Sequence, residues 1–256
     1  MLWIGPRLST LERLSVASFL ANGHPVHLYA YSPLEGVPHG TSVRDGREIL
    51  PENAVFRYPS GFGAGSPSAF ANLFRYKLLL ERGGTWCDTD MVCVRPLDFL
   101  DRMPYAFASQ RMPAKPADTA GDRMNVCIMK APAGCDLLRE CYASAAATDR
   151  STIAWGQTGP DLVTAIAAQL GLQRYALPPE VACPVDFFAL QALLAPGPPL
   201  PAAAHAVHCW NEMWRANGLD KDAAYAPDSL FEQLKRRYGI VRAVTAVGRS
   251  WPGLLP

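Results

Sequence analysis

The stretch from residue 66 to residue 94 constrains the fold more than any other part of the sequence. It begins with a Ser-Pro pair, which is typical of a helix start because serine caps the first turn and proline suits the first helical position. An amphipathic pattern follows and stops at Gly83-Gly84, where two glycines allow the backbone to turn sharply. An extended segment then leads into residues 91–94, which are apolar enough for a buried strand. The sequence therefore predicts a helix packed against a sheet and joined to it by a tight turn.

Strand and helix patterns alternate along the rest of the chain, which indicates an α/β fold. Residues 2–5 predict a first strand, and the capping-box spacing of Ser9 and Glu12 predicts a helix ending near Asn22. A strand at 26–31 completes a unit that is typical of a right-handed crossover in a parallel sheet. The remaining patterns predict strands at 48–50, 55–58, 105–109, 126–130 and 206–210, helices at 135–147, 159–170 and 228–238, and loops at 32–67, 111–123 and 193–204.

Composition excludes several classes of protein. A net charge of +1 over 256 residues provides no global field for nucleic acid or an anionic membrane. We expect no signal peptide, because the N-terminus lacks a basic region followed by an apolar stretch, and no apolar run is long enough to span a bilayer. Seven scattered cysteines without a C-x-x-C pair predict reduced, buried thiols in a cytoplasmic protein, with zinc binding or disulfides as the alternative.

Two carboxylates lie in the extended segment after the glycines. Asp88 and Asp90 are spaced i, i+2, which on a strand or its continuation points both side chains the same way. Such a pair can hold one hard divalent cation, and that cation can neutralise a diphosphate. Alone, the pair is more typical of a solvated turn. Its setting favours a site, because Asn72, Arg75 and Tyr76 share one face of the preceding helix and ligands of open α/β sheets bind near strand ends.

The pattern Asn-Leu-x-Arg-Tyr-x-x-Leu-x-x-x-Gly-Gly-x-Trp-x-Asp-x-Asp resembles the sugar-binding region with the DXD motif of GT-A glycosyltransferases. The most similar groups are the capsular-polysaccharide and initiating-mannosyltransferase-like enzymes and the glucosylating domain of large clostridial toxins. The resemblance is dense over residues 71–96 and looser at 2–5, 124–128 and 208–211. It implies a GT-A-like, Rossmann-type α/β sheet, mostly parallel and flanked by helices. It also implies one domain over 1–256, with the nucleotide sugar bound by 1–100 and the acceptor side formed by 101–256.

The resemblance also implies roles for single residues. Trp3 would stack on the nucleotide base, and Arg75 would contact nucleotide or sugar hydroxyls. Asp88 would bind ribose or sugar and reach the metal through water, whereas Asp90 would ligate the metal directly and His208 would complete the coordination. We therefore expect a catalytic set of Asp88, Asp90 and Asn125, a donor-binding set of Trp3, Asn72, Arg75, Tyr76, Trp86 and Asp88, and a metal-binding set of Asp90, Asp88 and His208.

Several of these residues have a plainer interpretation. Asn125 would face the sugar or simply cap a turn at a strand edge, and His208 would ligate metal or be a satisfied core histidine. Asn72 stands where family members often have aspartate, which removes a charge but keeps an acceptor. Trp210 and Trp214 would pack or wall the sugar pocket. The Trp155–Pro160 segment resembles the Thr-Gly-Pro helix entry of these enzymes, and the glycine-rich stretch 61–66 departs from a dinucleotide fingerprint and is expected to be a mobile loop.

These observations predict a metal-dependent glycosyltransferase of polysaccharide biosynthesis. It would use Mn²⁺ or Mg²⁺ and a nucleotide-diphosphate sugar, UDP-linked, and would transfer the sugar with retention to a saccharide or other hydroxyl acceptor. No nucleic acid partner is expected. The alternatives are a haloacid-dehalogenase-type phosphatase, whose D-x-D signature Asp88 to Asp90 also fits, and a degenerate domain that binds a sugar nucleotide without turnover.

Overall fold

The computed structural model describes residues 1–113 and 122–240, which form a mixed α/β fold. The predicted loop at 111–123 and the end of the predicted domain therefore lie partly outside the described residues. In chain order the elements are α1 (Thr10–Ala21), β1 (His27–Ala30), β2 (Ser42–Asp45), α2 (Ser68–Arg82), β3 (Gly84–Cys87), β4 (Met91–Cys93), β5 (Ala106–Arg111), β6 (Asp122–Ala131), α3 (Asp136–Ala147), α4 (Pro160–Gln169), α5 (Pro179–Ala182), α6 (Gln191–Leu194), β7 (Ala206–His208), α7 (Asn211–Ala216) and α8 (Leu230–Arg237).

The strands form three small sheets. β1 and β2 pair in parallel, and Leu2 bridges to Tyr29 in the same direction, as the predicted crossover requires. β6 lies between β3 and β5 and is antiparallel to both. β4 and β7 also pair antiparallel. The expectation of a mostly parallel sheet is not confirmed, because three of the four strand pairings in the described residues are antiparallel.

The helices follow local sequence signals closely. α1 begins after Ser9. The Glu12 carboxylate accepts a hydrogen bond from the Ser9 backbone N–H at 2.9 Å, so the predicted capping box is present. α2 ends at Gly83, where φ is +63° and an added Cβ would lie 2.8 Å from the backbone nitrogen of Ala133. A side chain has no room there. Glycine is therefore required both for the backbone conformation and for the close approach of the segment after β6.

Strand positions were predicted less accurately than helices. Residues 46–48 form a 3₁₀ turn and 55–58 are irregular, so neither predicted weak strand exists. β2 lies a few residues earlier and was missed, because its side chains are largely exposed and polar and show no apolar alternation. The predicted strand at 2–5 is reduced to the single bridge from Leu2.

The buried side chains form two main clusters that meet at the Asp88–Asp90 turn. One gathers residues of α1, β4, β7 and α8, including Leu11, Met91 and Trp214. The other gathers residues of α2, β3, β6, α3 and α4, including Phe74 and Trp86. β3 contributes Trp86 to the second cluster and Cys87 to the first, which also contains β4, so the turn between the two strands is supported on both sides by packed core.

Two further expectations concern cysteines and membranes. All seven cysteines are among the described residues, none forms a disulfide, and all but the partly exposed Cys135 are buried. Burial raises the pKa of the Cys93 and Cys141 thiols to about 12, which keeps both protonated. Within residues 1–113 and 122–240, the structure contains no helix with the length and apolar character needed to cross a membrane.

Candidate metal and donor site

The two carboxylates lie in the turn between β3 and β4, in the continuation of β3. The turn is fixed at both ends by backbone hydrogen bonds. The Asp88 N–H donates to the Cys127 carbonyl of β6 at 2.8 Å, and the Cys209 N–H, just after β7, donates to the Asp90 carbonyl at 2.9 Å. The i, i+2 spacing therefore brings both acids to one cavity by way of a rigid turn that joins two sheets.

Asp88 is held by two side chains that the sequence placed near it. Arg75 donates from Nη2 to Asp88 Oδ1 at 2.6 Å, and Trp86 Nε1 donates to the same oxygen at 2.7 Å. The guanidinium also lies over the Trp86 ring at 4.9 Å. Burial raises the pKa of Asp88 despite the opposing effect of Arg75, and the neighbouring Asp90 raises it further. Both hydrogen bonds use Oδ1, which leaves Oδ2 for another partner.

Asp90 has the opposite electrostatic balance. Its Oδ2 accepts the Asn211 backbone N–H at 2.7 Å and lies 3.3 Å from His208 Nε2. Burial acts to raise the pKa of Asp90, but the attraction and hydrogen bond of His208 and the Asn211 N–H outweigh burial and lower it. Asp90 is therefore the acid whose environment favours the ionised, ligating form.

The donor set suits a hard divalent cation. One ligand atom each from Asp88, Asp90 and His208 lie within 4.8 Å of one another. Carboxylate oxygens are typical ligands of Mg²⁺ and Mn²⁺, and an imidazole is a typical ligand of transition metals. His208 also belongs to a second group, with Cys127 and Cys183, but both thiols are fully buried behind it, with Cys183 Sγ 3.8 Å from His208 Nδ1. The thiols therefore pack against the back of the histidine, and its Nε2 faces the acids.

A cavity of about 600 Å³ contains nearly all of the predicted site. The predicted residues that line it are Trp3, Asn72, Arg75, Trp86, Asp88, Asp90, Asn125 and His208. These residues come from five separate segments of the chain. The structure therefore brings together the acids, the candidate third ligand and the tryptophan proposed to stack on a base, in a volume of the size usual for small-molecule sites.

Tyr76 is the one predicted donor-binding residue that the structure leaves out of the cavity lining. Its side chain is fully buried and its hydroxyl donates to the Thr158 carbonyl at 2.8 Å. Asn72 reaches the Thr158 hydroxyl at 3.5 Å from one helical turn earlier. Tyr76 therefore fixes the loop before α4 to α2, because its position on the helix points it at that loop.

Trp3 lies at the mouth of the cavity and is partly exposed, as a stacking residue must be. Its Nε1 donates to the Arg7 carbonyl at 3.0 Å, and the Lys221 ammonium lies 5.3 Å from the ring centroid. Lys221 also donates to Asn211 Oδ1 at 2.9 Å. One lysine thus connects the tryptophan to the residue whose backbone N–H binds Asp90.

Asn125 lies inside β6, where its side chain bonds to the backbone two residues further on. Its Oδ1 accepts the Cys127 N–H at 2.8 Å, and its amide donates to Gln110 of β5, which also lines the cavity. Arg123, two residues earlier on the same face of β6, lines the cavity as well. Sequence reasoning missed Gln110 and Arg123. The i, i+2 spacing of Arg123 and Asn125 was the available signal.

The segment after β7 contributes a wall that the sequence only partly indicated. Trp210 stacks on His208 with ring centroids 3.8 Å apart and donates from Nε1 to the Val185 carbonyl. It is the one non-glycine residue with positive φ among the described residues, at +56°. That conformation turns the chain so that the Asn211 N–H faces Asp90, and such backbone strain is typical of functional sites. Trp214 is fully buried and packs in the core.

Comparison with known proteins agrees with this geometry. Residues 64–107 match the family described as "Glycosyltransferase sugar-binding region containing DXD motif", and the match spans α2, the glycine turn and both acids. No curated protein matches the chain. Among solved structures seven chains match, including one titled "PaToxG Glycosyltransferase", with a TM-score of 0.46, 13% identity, and coverage of 93% of this chain and 83% of that chain. The family match covers the segment that contains both acids and supports a glycosyltransferase.

Proposed function

We propose that this glycosyltransferase is metal-dependent and takes its sugar from a nucleotide-diphosphate donor, UDP-linked. The observation that carries the proposal is the convergence of Asp88, Asp90 and His208 within one cavity that Trp3 also lines. The three side chains fit Mn²⁺ or Mg²⁺, with Asp90 as the direct ligand. Such a cation, when bound, supplies Lewis-acid neutralisation of the leaving diphosphate.

Arg75 supports a role in donor binding. Its Nη1 donates to the Val126 carbonyl at 3.0 Å and its Nη2 to Asp88, so the guanidinium is held rigidly. Its Nε is buried and has no hydrogen-bond partner in the described part of the chain. A buried donor without a partner is costly, so holding Arg75 in this position against the cavity comes at the expense of stability, as is typical of a functional site.

The resemblance to retaining enzymes leads us to propose retention at the anomeric carbon. We assign no side chain as a nucleophile and propose front-face attack by the acceptor hydroxyl. Asn125 and Gln110 present amide groups to the cavity from adjacent strands, which suits hydrogen bonding to sugar hydroxyls. Orientation by these amides, rather than covalent chemistry, would then be the contribution of this wall.

The wider setting is part of the same proposal. We infer that the chain acts as one transferase domain in the cytoplasm, in polysaccharide biosynthesis. Support for a single domain comes from the first core cluster, which combines Leu11 and Met91 from the first hundred residues with Trp214 from the last hundred. The phosphatase alternative is not favoured, because the family match over 64–107 is to glycosyltransferases.

A donor screen tests the proposal. The protein would be melted with UDP-, GDP- and ADP-sugars, each with Mn²⁺, Mg²⁺ or EDTA, since ligand binding raises the melting temperature with occupancy. We expect a UDP-sugar to raise it with Mn²⁺ and not with EDTA. Metal-independent binding would contradict the metal role. Release of phosphate from phosphomonoesters, without release of UDP from any donor, would support the phosphatase instead.

A further inference from the structure

We propose that Phe62 and Trp155 form a subsite at which a pyranose ring of a saccharide acceptor stacks. The inference deepens the proposed function, and it rests on that function for the position of the donor at the acids. Both aromatic residues line the same cavity as Asp88 and Asp90. A ring bound there would therefore be continuous with the donor site.

The two rings form an exposed corner. Their centroids are 5.1 Å apart and their planes are nearly perpendicular, at 87°. Phe62 is 49% exposed and Trp155 is 37% exposed, which makes them two of only five large apolar side chains with such exposure among the described residues. Two exposed aromatic rings in contact at a cavity mouth leave apolar surface in water that a ligand would cover.

Trp155 is held in place by side chains and backbone that pack against it. Tyr58 is buried and packs on Trp155, with the two ring centroids 5.1 Å apart. Gly63 has φ +84°, and an added Cβ would lie 2.2 Å from the Trp155 ring, so the glycine-rich loop lies directly against that ring. Tyr76 and Asn72 fix the Trp155 segment from the other side through Thr158. The glycine-rich loop is therefore packed against Trp155 at Gly63, where the absence of a side chain allows the contact.

A polar pair lies beside the rings. Arg123 donates from Nη1 to Asp161 Oδ1 at 2.7 Å, and Asp161 keeps half of its side chain exposed. An added Cβ on Gly156, the neighbour of Trp155, would lie 2.9 Å from Asp161 Oδ2. Arg123 Nε is buried with no hydrogen-bond partner in the part of the chain that the structure describes. A partly exposed guanidinium and an accessible carboxylate thus adjoin the apolar corner.

This combination fits a sugar ring better than an alkyl chain. A pyranose has one face of C–H groups, which suits an aromatic ring, and an edge of hydroxyls, which suits a guanidinium and a carboxylate. A lipid tail would gain nothing from the Arg123–Asp161 pair and would desolvate it at a cost. The observations therefore favour a saccharide as the acceptor class.

The test is glycan-array binding by the labelled wild-type chain with UDP and Mn²⁺, followed by titration of the best-binding oligosaccharide. We expect Phe62→Ala to raise the Kd at least about tenfold, the order of magnitude of a lost aromatic contact. Phe62→Trp should keep binding, whereas Phe62→Leu should not, because it is apolar without a ring. Val43→Ala, which removes an equally exposed apolar side chain outside the cavity, should bind as the wild type does.

The thermal shift caused by UDP with Mn²⁺ separates this inference from the proposed function. It should be unchanged in every variant at position 62. Absence of glycan binding by the wild type, or binding by Phe62→Leu equal to the wild type, would overturn the saccharide subsite and leave the donor proposal intact. Glycan binding that depends on Phe62 without any UDP shift would contradict the donor proposal and leave the subsite standing.

Discussion

Asp88 and Asp90 are two residues apart, yet their surroundings act on them in opposite ways. Burial and the neighbouring acid raise the pKa of Asp88, whereas His208 and the Asn211 N–H lower the pKa of Asp90. Arg75 is the cation that keeps Asp88 compatible with burial, and its own side chain is only 3% exposed. Arg75 is therefore expected to contribute to the stability of the fold at Asp88 as well as to donor binding.

Replacing Arg75 tests that dependence. Arg75→Met should lower the free energy of unfolding by about 1–3 kcal/mol, because it leaves the partly buried carboxylate of Asp88 without its cation. Urea unfolding followed by circular dichroism measures the change. The double variant Arg75→Met with Asp88→Asn should recover part of the loss, since no unpaired charge remains. Equal stability of the single and double variants would show that the ion pair is not the cause.

Tyr76 separates a structural role from a binding role. Tyr76→Phe should cost about 1–3 kcal/mol of unfolding free energy, because the buried Thr158 carbonyl loses its donor. The Kd for UDP with Mn²⁺, measured by calorimetry, should stay within twofold of wild type, since the hydroxyl lies outside the cavity. A large rise in that Kd without loss of stability would restore the donor-binding interpretation of Tyr76.

The sequence was informative at positions where a charged side chain lies between buried aromatic neighbours. Arg75 lies in mid-helix between Phe74 and Tyr76, and a buried arginine with a partner explains that position. Tyr76 shares the same helical face, but its length carries the hydroxyl past the cavity to Thr158. The identity of such a distant partner depends on tertiary packing and is not encoded in helical spacing.

Among the secondary-structure elements, the end of α2 is the place where residue type most directly determines the backbone conformation. Gly83 and Gly84 both have positive φ, at +63° and +91°, but only Gly83 faces a backbone atom within contact distance. Replacement by alanine at either position costs about 1–3 kcal/mol of conformational strain. At Gly83 the clash with Ala133 N adds to the strain.

We therefore expect Gly83→Ala to be clearly less stable than Gly84→Ala in thermal or urea unfolding. Gly84→Ala is the matched control, because it has the backbone strain without the clash. Equal losses for the two variants would mean that the segment after β6 moves away at little cost. The close packing of α2 against that segment would then not be what fixes the turn before Asp88.

The five longest helices were predicted within one or two residues, whereas the short helices α5, α6 and α7 were missed and strands were predicted less well. A cap and an apolar period identify α1, α3, α4 and α8 from local sequence. β2 has exposed polar residues, and the strands of three or four residues are too short for a period to show. Strand direction is set by which segments meet in space. The antiparallel pairs β3–β6 and β4–β7 therefore could not be read from the order of elements.

At the scale of the whole molecule, Lys221 connects segments that are far apart in sequence and lie next to the cavity. Lys221 binds Glu12 of α1 at 2.5 Å and Asn211 at 2.9 Å, and its ammonium faces Trp3. Glu12 is fully buried. The contact joins α1 to the segment that provides the Asp90 hydrogen bond. The contact between Lys221 and Glu12 could not be predicted from sequence, because the two residues are 209 positions apart.

Lys221→Met should lower the free energy of unfolding by about 3 kcal/mol, because a buried glutamate loses its cation. Lys77→Met is the matched control, since Lys77 and Glu81 form a more exposed Lys–Glu pair on α2 that should contribute less than about 0.5 kcal/mol. Chemical unfolding of both variants measures the difference. Similar losses would contradict a structural role for the Lys221–Glu12 contact.

The central claim is that Asp90 holds a divalent cation needed for transfer from a UDP-sugar. The most direct test is the rate of UDP release from a UDP-sugar with Mn²⁺, for the wild type, Asp90→Asn and Asp101→Asn. Asp101 is 88% exposed on its side chain and lies outside the cavity, so it controls for loss of a carboxylate. Circular dichroism would confirm that all three proteins are folded.

We predict Mn²⁺-dependent UDP release by the wild type and by Asp101→Asn, and a loss of at least about 100-fold in Asp90→Asn, the order expected when a metal-held charge is removed from the leaving group. EDTA should reduce the wild type to the same level. Full activity of folded Asp90→Asn, or wild-type activity that EDTA leaves unchanged, would contradict the metal-dependent mechanism.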